Sequence, residues 1–77
     1  MNEVTIYLKE NCKLCEEVKA LVEILEMDYE ILVKEVNILG NNELEQKYLL
    51  ELPVLLVNGE ELEYRQIDIF SIRDRLH

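Results

Sequence analysis

The chain has 77 residues, 49% of them apolar, and a formal charge of −9 at neutral pH. This length suits one domain with a small core, and the scarcity of glycine and proline argues against a linker or a disordered arm. The negative charge opposes binding to phosphate backbones and to anionic membranes, so we expect neither nucleic acid nor membrane as a partner.

The beginning of the chain lacks a basic region followed by a long apolar stretch, so no signal peptide is predicted. The longest run without a polar residue, residues 53–57, is far too short to span a membrane. Two cysteines three positions apart do not suit a secreted disulfide framework. We therefore expect a single domain over residues 1–77, located in the cytoplasm.

The first half of the chain predicts a strand, a helix and a second strand. Residues 4–8 are β-branched and aromatic, as in a strand, and the apolar period becomes helical after Cys12. A second strand is predicted for residues 31–36. The apolar face of the first helix is formed by Leu14, Val18, Leu21, Val22 and Leu25.

A short second helix is predicted for residues 43–50. Asn42 and Glu45 have the spacing of a capping box at its start. Pro53 cannot lie inside a helix, so the helix must end before it.

The last part of the chain predicts a hairpin and a final helix. Residues 54–57 are wholly apolar, as in a buried strand, and Asn58–Gly59 is a typical two-residue turn before a returning strand at residues 61–64. A helix is predicted for residues 67–76. Its apolar positions are Ile69, Phe70, Ile72 and Leu76. This order predicts an α/β fold with a four-stranded mixed sheet covered by three helices.

Cys12 and Cys15 lie where the first predicted strand gives way to the first helix. Residues three apart on a helix are close enough to form a disulfide, and the positive end of a helix favours the thiolate. Lys9 and Lys13 would add to this stabilisation. We expect Cys12, nearer the loop, to be the nucleophile and Cys15 to resolve the mixed disulfide.

Other interpretations of the pair stay open at this point. CxxC is also half of a zinc or iron–sulfur ligand set, but the chain has no other cysteine and its one histidine is the terminal His77. We therefore expect no metal unless a second subunit shares it. A non-catalytic binding module or a redox sensor would use the same two cysteines. His77 is expected to be a solvated tail, and the tyrosines to be packing residues with solvated hydroxyls.

Four features together, residues 4–8, the Cys12–Cys15 motif, residues 52–55 and residues 58–60, resemble the glutaredoxin-like branch of the thioredoxin superfamily. The resemblance implies a thioredoxin-like fold with the order βαβαββα. It also implies a thiol–disulfide oxidoreductase, and a cis peptide bond between Leu52 and Pro53 beside the cysteines.

The resemblance also suggests partners. Glutathione-using members usually carry an aromatic residue in or beside the CxxC and a Gly-Gly pair with an acidic residue after the last strand, whereas this chain has Lys13 and Leu14 in the motif and no glycine at residues 63–66. The expected partners are protein disulfides and an upstream reductant, either a thioredoxin-reductase-like protein or glutathione. Substrate contacts are expected at Leu52, Pro53, Lys9 and Lys13. We expect a monomer without a cofactor.

Overall fold

A computed structural model describes all 77 residues. Its four strands are β1 (Asn2–Leu8), β2 (Ile31–Asn37), β3 (Val54–Val57) and β4 (Glu60–Leu62), and its three helices are α1 (Lys13–Leu25), α2 (Asn42–Tyr48) and α3 (Ile69–Arg73). The sheet has the order β2-β1-β3-β4, with β1 and β2 parallel and the other pairs antiparallel. The predicted α/β fold, with a four-stranded mixed sheet and three helices, is confirmed. None of the helices is long and apolar enough to cross a membrane.

The larger core involves α1, α3 and one face of the sheet. On β1 the buried Val4 and Ile6 alternate with side chains that point to the other face, as the two-residue period of a strand requires. Val18, Val22 and Leu25 of α1 belong to the same core and Leu21 packs against it, as predicted. Leu14, which was assigned to the same apolar face, is 49% exposed instead. The ten side chains of the core are Val4, Ile6, Val18, Val22, Leu25, Leu55, Val57, Leu62, Ile72 and Leu76.

A second, smaller apolar cluster lies at the end of the sheet that carries the cysteines. Its buried members are Cys15, Ile38, Tyr48, Leu52 and Val54. The side chain of Val54 points away from its neighbour Leu55, which belongs to the larger core, so this cluster extends to the other face of the sheet. The short helix α2 joins the cluster through Tyr48.

Helix α2 begins one residue earlier than predicted. Asn41, not Asn42, is its N-cap, because the Asn41 Oδ1 accepts a hydrogen bond from the Leu44 N–H at 3.2 Å. The Glu45 carboxylate accepts from the Gly40 N–H at 3.3 Å instead of closing a box on Asn42. Two adjacent asparagines gave two possible starting points, and the structure uses the first.

The predicted end of the chain is wrong in its boundaries. Strand β4 ends at Leu62, and a 3₁₀ turn at Tyr64–Gln66 follows it. The helix predicted for residues 67–76 is the shorter α3, which begins two residues later and ends three residues earlier. The side chain of Asp68 caps α3 by accepting from the Ser71 N–H at 2.8 Å, and this hydrogen bond lowers the pKa of Asp68.

Phe70 was predicted to face the core, but its side chain is 61% exposed. The cap at Asp68 fixes where α3 begins and turns Ile72 into the core. Phe70 lies two positions from Ile72, about 200° around the helix, and therefore points to solvent. Leu76 is buried, as predicted, although it lies beyond the end of the helix.

The Asn58–Gly59 turn is confirmed. Both residues have positive φ, 49° and 88°, which asparagine and glycine tolerate. The side chain of Asn58 also connects distant parts of the chain: its Oδ1 accepts from the Glu3 N–H at 2.9 Å, and its Nδ2 donates to the Arg75 carbonyl at 2.8 Å.

A buried asparagine, Asn2, joins the two ends of the chain. Its Nδ2 donates to the carbonyls of Glu30 and His77, each at 3.0 Å. Its Oδ1 accepts from the His77 N–H at 2.8 Å and from the Asn58 Nδ2 at 3.0 Å. The side-chain amide of Asn2 thus uses its full bonding capacity. His77 was predicted to be a solvated tail, but only its side chain is exposed and its main chain is held by Asn2.

Replacing Asn2 by leucine should lower the free energy of unfolding by about 2–4 kcal/mol. The change removes the partner of both the N–H and the carbonyl of His77 and one partner of the Asn58 side-chain amide, whereas the Glu30 carbonyl keeps the Asn2 main-chain N–H at 3.0 Å. Each group left without a partner away from water costs about 1–3 kcal/mol. Urea denaturation measures the loss. Asn42→Leu is the control, because Asn42 is exposed and its side chain forms no hydrogen bond within the chain; it should change stability by less than about 0.5 kcal/mol. Equal losses in the two variants would contradict this role of Asn2.

Candidate redox site

The cysteine pair lies at the junction of β1 and α1. Cys12 is the N-cap of α1 and has extended backbone angles, whereas Cys15 is in the first turn of the helix. Their Cα atoms are 5.2 Å apart and their sulfurs form a disulfide. The structure therefore describes the oxidised form of the pair.

The two sulfurs differ in their environment. Cys15 is 1% exposed, whereas Cys12 is partly exposed. The Cys15 N–H, one of the free donors at the start of α1, donates to the Cys12 Sγ at 3.2 Å. A donor in this position would stabilise a thiolate on Cys12 after reduction. The geometry thus makes Cys12 the sulfur that another molecule can reach.

Asn11 forms the turn that leads from β1 into the cysteine pair. Its φ of 57° is in the left-handed region, where few residues other than glycine and asparagine are found. The sequence analysis did not single out Asn11. An asparagine directly before a helix start was the available signal, because this residue type is common in turns.

Leu52 and Pro53 lie beside the cysteines. The peptide bond between them is cis, as the resemblance implies. Both residues are buried, and Leu52 belongs to the same apolar cluster as Cys15, against which Cys12 also packs. The structure therefore brings together Cys12, Cys15, Leu52 and Pro53, which the sequence separates by up to 41 positions.

The two lysines expected near the site are placed differently. Lys13 is exposed and lines an open concave surface around Cys12 together with Asn11 and Glu16. Lys9 is partly buried and does not line this surface. Neither lysine forms an ion pair. The positive charge closest to the exposed sulfur along the chain is therefore the free ammonium of Lys13.

Lys19 is engaged elsewhere. Its Nζ lies 3.4 Å from a carboxylate oxygen of Glu35 on β2 and 3.7 Å from one of Glu16. The hydrogen bond to Glu35, followed by the charge of Glu16, raises the pKa of Lys19. This lysine connects α1 to the edge of the sheet and is not available to the cysteines.

Tyr48 supports the cluster that contains Cys15. Its ring packs against that of Tyr7, with the centroids 4.8 Å apart. Its hydroxyl was predicted to be solvated, but it donates to a carboxylate oxygen of Glu61 at 2.6 Å. Burial, and then the hydrogen bond to Glu61, raise the pKa of Tyr48. Helix α2 is thereby held on the sheet through both the ring and the hydroxyl.

The side chains around Cys12 and Cys15 do not complete a set of metal ligands. No group of three or more His, Cys, Asp or Glu side chains is arranged to hold a metal ion. A metal on Cys12 and Cys15 would need further ligands from a second molecule.

Comparison with protein families shows to which family the chain belongs. The model of the glutaredoxin-like domain family (DUF836) matches residues 3–77. The chain belongs to this family. A glutaredoxin-like domain with a bonded CxxC pair is consistent with a redox function. A search of curated proteins gives no match.

Solved structures support the same assignment. Protein Ne2328 from Nitrosomonas europaea is 30% identical, with a TM-score of 0.82 over 99% of this chain and 92% of that one. Protein XcR50 from X. campestris is 26% identical, with a TM-score of 0.77 over 92% of this chain and 91% of that one. A mutant thioredoxin from Halobacterium salinarum is 20% identical, with a TM-score of 0.69 over 97% of this chain and 71% of that one, and shows that the fold is thioredoxin-like.

Asn11→Val should lower the free energy of unfolding of the oxidised protein by about 1–2 kcal/mol, because a β-branched residue is strained at positive φ. Asn11→Gly is the control, since glycine adopts this conformation freely and should change stability by less than about 0.5 kcal/mol. Urea denaturation without a reductant compares them. Equal stability of the valine and glycine variants would contradict the left-handed turn.

Tyr48→Phe should cost about 1 kcal/mol at pH 7 through loss of the hydrogen bond to Glu61. The folded-state pKa of Tyr48 is raised above its unfolded value of about 10. The phenol therefore contributes stability below pH 10 that is lost as the pH rises through the raised pKa. The cost of the substitution, measured by urea denaturation at pH 7 and pH 11, should shrink or reverse at the higher pH.

A cost for Tyr48→Phe that is the same at both pH values would contradict the buried hydrogen bond. Tyr29→Phe is the control at pH 7, because the hydroxyl of Tyr29 forms no hydrogen bond within the chain and its loss should change stability by less than about 0.5 kcal/mol.

Proposed function

We propose that this protein is a thiol–disulfide oxidoreductase that reduces disulfide bonds in other proteins, with Cys12 as the nucleophile and Cys15 as the resolving cysteine. The observation that carries the proposal is the unequal exposure of two bonded sulfurs at the start of a helix. Cys15 is 1% exposed, so only Cys12 is open to a second molecule. A structural disulfide would not need such an arrangement.

The reaction starts from the reduced form of the pair. The Cys12 thiolate attacks one sulfur of the substrate disulfide, that S–S bond breaks, and the released substrate thiolate takes up a proton. Cys15 then loses its proton and attacks the Cys12 Sγ. The mixed disulfide breaks and the second substrate thiol is released. Two electrons pass from the protein to the substrate, one of the two protons comes from the Cys15 thiol and the other from water, and the protein returns to the disulfide form described above.

The surroundings of the pair support each step. The Cys15 N–H and the positive end of α1 stabilise the Cys12 thiolate. The second attack needs no rearrangement of the main chain, because the Cα atoms are already 5.2 Å apart. The side chains of Leu52 and Pro53 are buried next to the cysteine cluster, so we expect a substrate chain to lie along the main chain of this segment.

Turnover requires a reductant for the Cys12–Cys15 disulfide. We assign this role to a second dithiol protein of the thioredoxin-reductase type or to glutathione, and place the protein in the cytoplasm, where such reductants keep thiols reduced. The exposed ammonium of Lys13 lies on the surface that either partner would approach.

Matched serine substitutions test the proposal. In Cys12→Ser, reduction of a small disulfide such as hydroxyethyl disulfide should fall to the uncatalysed background, because no accessible sulfur remains. In Cys15→Ser, the first attack proceeds but the mixed disulfide persists, and intact mass should show the substrate thiol attached to Cys12. The assay uses the full chain, reduced in advance and freed of the reductant.

Unchanged activity in Cys12→Ser would rule out the assigned nucleophile. Absence of reduction by the unmodified protein as well would favour a binding or redox-sensing module, in which the disulfide changes the affinity for a partner without turnover.

A further inference from the structure

A small apolar pocket opens beside the cysteine pair, between α1 and the segment that follows β4. Its volume is about 90 Å³. Its apolar wall is formed by Leu14, Val18, Leu21, Pro53, Tyr64 and Ile67. Three of these residues, Leu14, Val18 and Leu21, were predicted to lie on the apolar face of the first helix, and Pro53 was expected to contact the substrate.

The pocket adjoins the redox site through two of its lining residues. Leu14 lies between the two cysteines in the motif, and Pro53 adjoins the cluster in which Cys15 is buried. A polypeptide whose disulfide meets the exposed Cys12 sulfur therefore has residues next to its cysteine within reach of the pocket. A neighbouring side chain of that polypeptide is the group placed to enter it.

We propose that the pocket receives an aliphatic side chain next to the cysteine that Cys12 attacks. This rests on the proposed oxidoreductase function and names its substrate class: protein disulfides flanked by an aliphatic residue. The pocket volume of 90 Å³ is smaller than that of the ~150 Å³ cavity that holds benzene. The space therefore suits the three or four carbons of a valine or leucine side chain.

The pocket exists before any substrate binds. Tyr64, which forms one wall, lies in the 3₁₀ turn, and this turn is closed by reciprocal hydrogen bonds between Glu63 and Gln66. The Arg65 guanidinium lies 5.1 Å from the centre of the Tyr64 ring. A wall held in this way loses little conformational freedom when a side chain enters.

One charged residue lies at the pocket. Glu17 of α1 completes the lining, and its side chain is exposed. A carboxylate there opposes the entry of an acidic group. Acidic residues beside the substrate cysteine, and the carboxylates of glutathione, are therefore disfavoured, while uncharged aliphatic residues are not.

The experiment compares three peptide disulfides that differ only in the residue before the cysteine: leucine, serine or aspartate. The reduced full-length protein is mixed with each one, and the second-order rate constant is measured. We expect the leucine peptide to react about fivefold faster than the serine peptide, because a half-open pocket gains part of the full burial of a leucine side chain. The aspartate peptide should be about two- to threefold slower than the serine peptide.

Two pairs of variants locate the effect in the pocket. Tyr64→Ala removes a wall and should bring the leucine-to-serine ratio close to one. Phe70→Ala is its control and should keep the ratio, because Phe70 is also an exposed aromatic residue with an arginine 5.1 Å from its ring but lies outside the pocket. Glu17→Gln should remove the penalty on the aspartate peptide, whereas Glu23→Gln, another exposed glutamate on α1, should keep it.

Hydroxyethyl disulfide has no side chain to place in the pocket. Its reduction therefore tests the oxidoreductase function independently of the pocket proposal. If it is reduced but the leucine and serine peptides react equally fast, the pocket proposal is overturned and the oxidoreductase function stands. A Tyr64→Ala variant that keeps the leucine preference overturns the pocket proposal in the same way. If neither hydroxyethyl disulfide nor any peptide is reduced, both proposals fail.

Discussion

Cys15 is packed into an apolar cluster at the end of the sheet, and the rest of the redox site is arranged around this packing. The cluster takes Val54 from β3, Tyr48 from α2 and Leu52 from the segment between them, so distant parts of the chain meet where α1 begins. Cys12 is the N-cap and lies before the first helical residue, so it stays next to Cys15 but at the boundary with solvent. The difference in exposure between the two sulfurs, on which their proposed roles as nucleophile and resolving cysteine rest, is thus a consequence of core packing.

Hydrogen bonds at the beginning of β1 and apolar packing at its end hold the strand that leads to the site. Asn2 at the beginning of the strand binds the main chain of Glu30 and His77, and the region where the strand ends is covered by the cluster that Tyr48 supports through Glu61. A small domain has few apolar contacts to fix the position of a strand, so satisfied buried polar groups add positional constraint. The cysteines therefore follow a strand whose position is fixed at both ends. This suits a reaction that requires the two sulfurs to keep a defined relative position.

Periodicity and turn chemistry were sufficient to predict the fold, because the signals are local. The apolar face of α1, the Asn58–Gly59 turn and the position of Cys12 before the helix could all be read over a few residues. The cis bond before Pro53 came from the family resemblance alone. The exposure of Phe70 was missed because the phase of α3 depends on its cap at Asp68. The roles of Asn2 and of the Tyr48 hydroxyl could not be predicted, because their partners lie up to 75 residues away along the chain.

The net charge and the pocket select partners over different distances. A charge of −9 acts over roughly the 8 Å Debye length of physiological salt and mainly affects how fast a partner approaches. It disfavours acidic partners as a class but cannot distinguish one neutral surface from another. The pocket beside Pro53 acts only on contact, where an aliphatic group can displace water. If both act, the preferred substrate combines a neutral or basic surface with an aliphatic residue beside its disulfide, and neither feature alone would be sufficient for full reactivity.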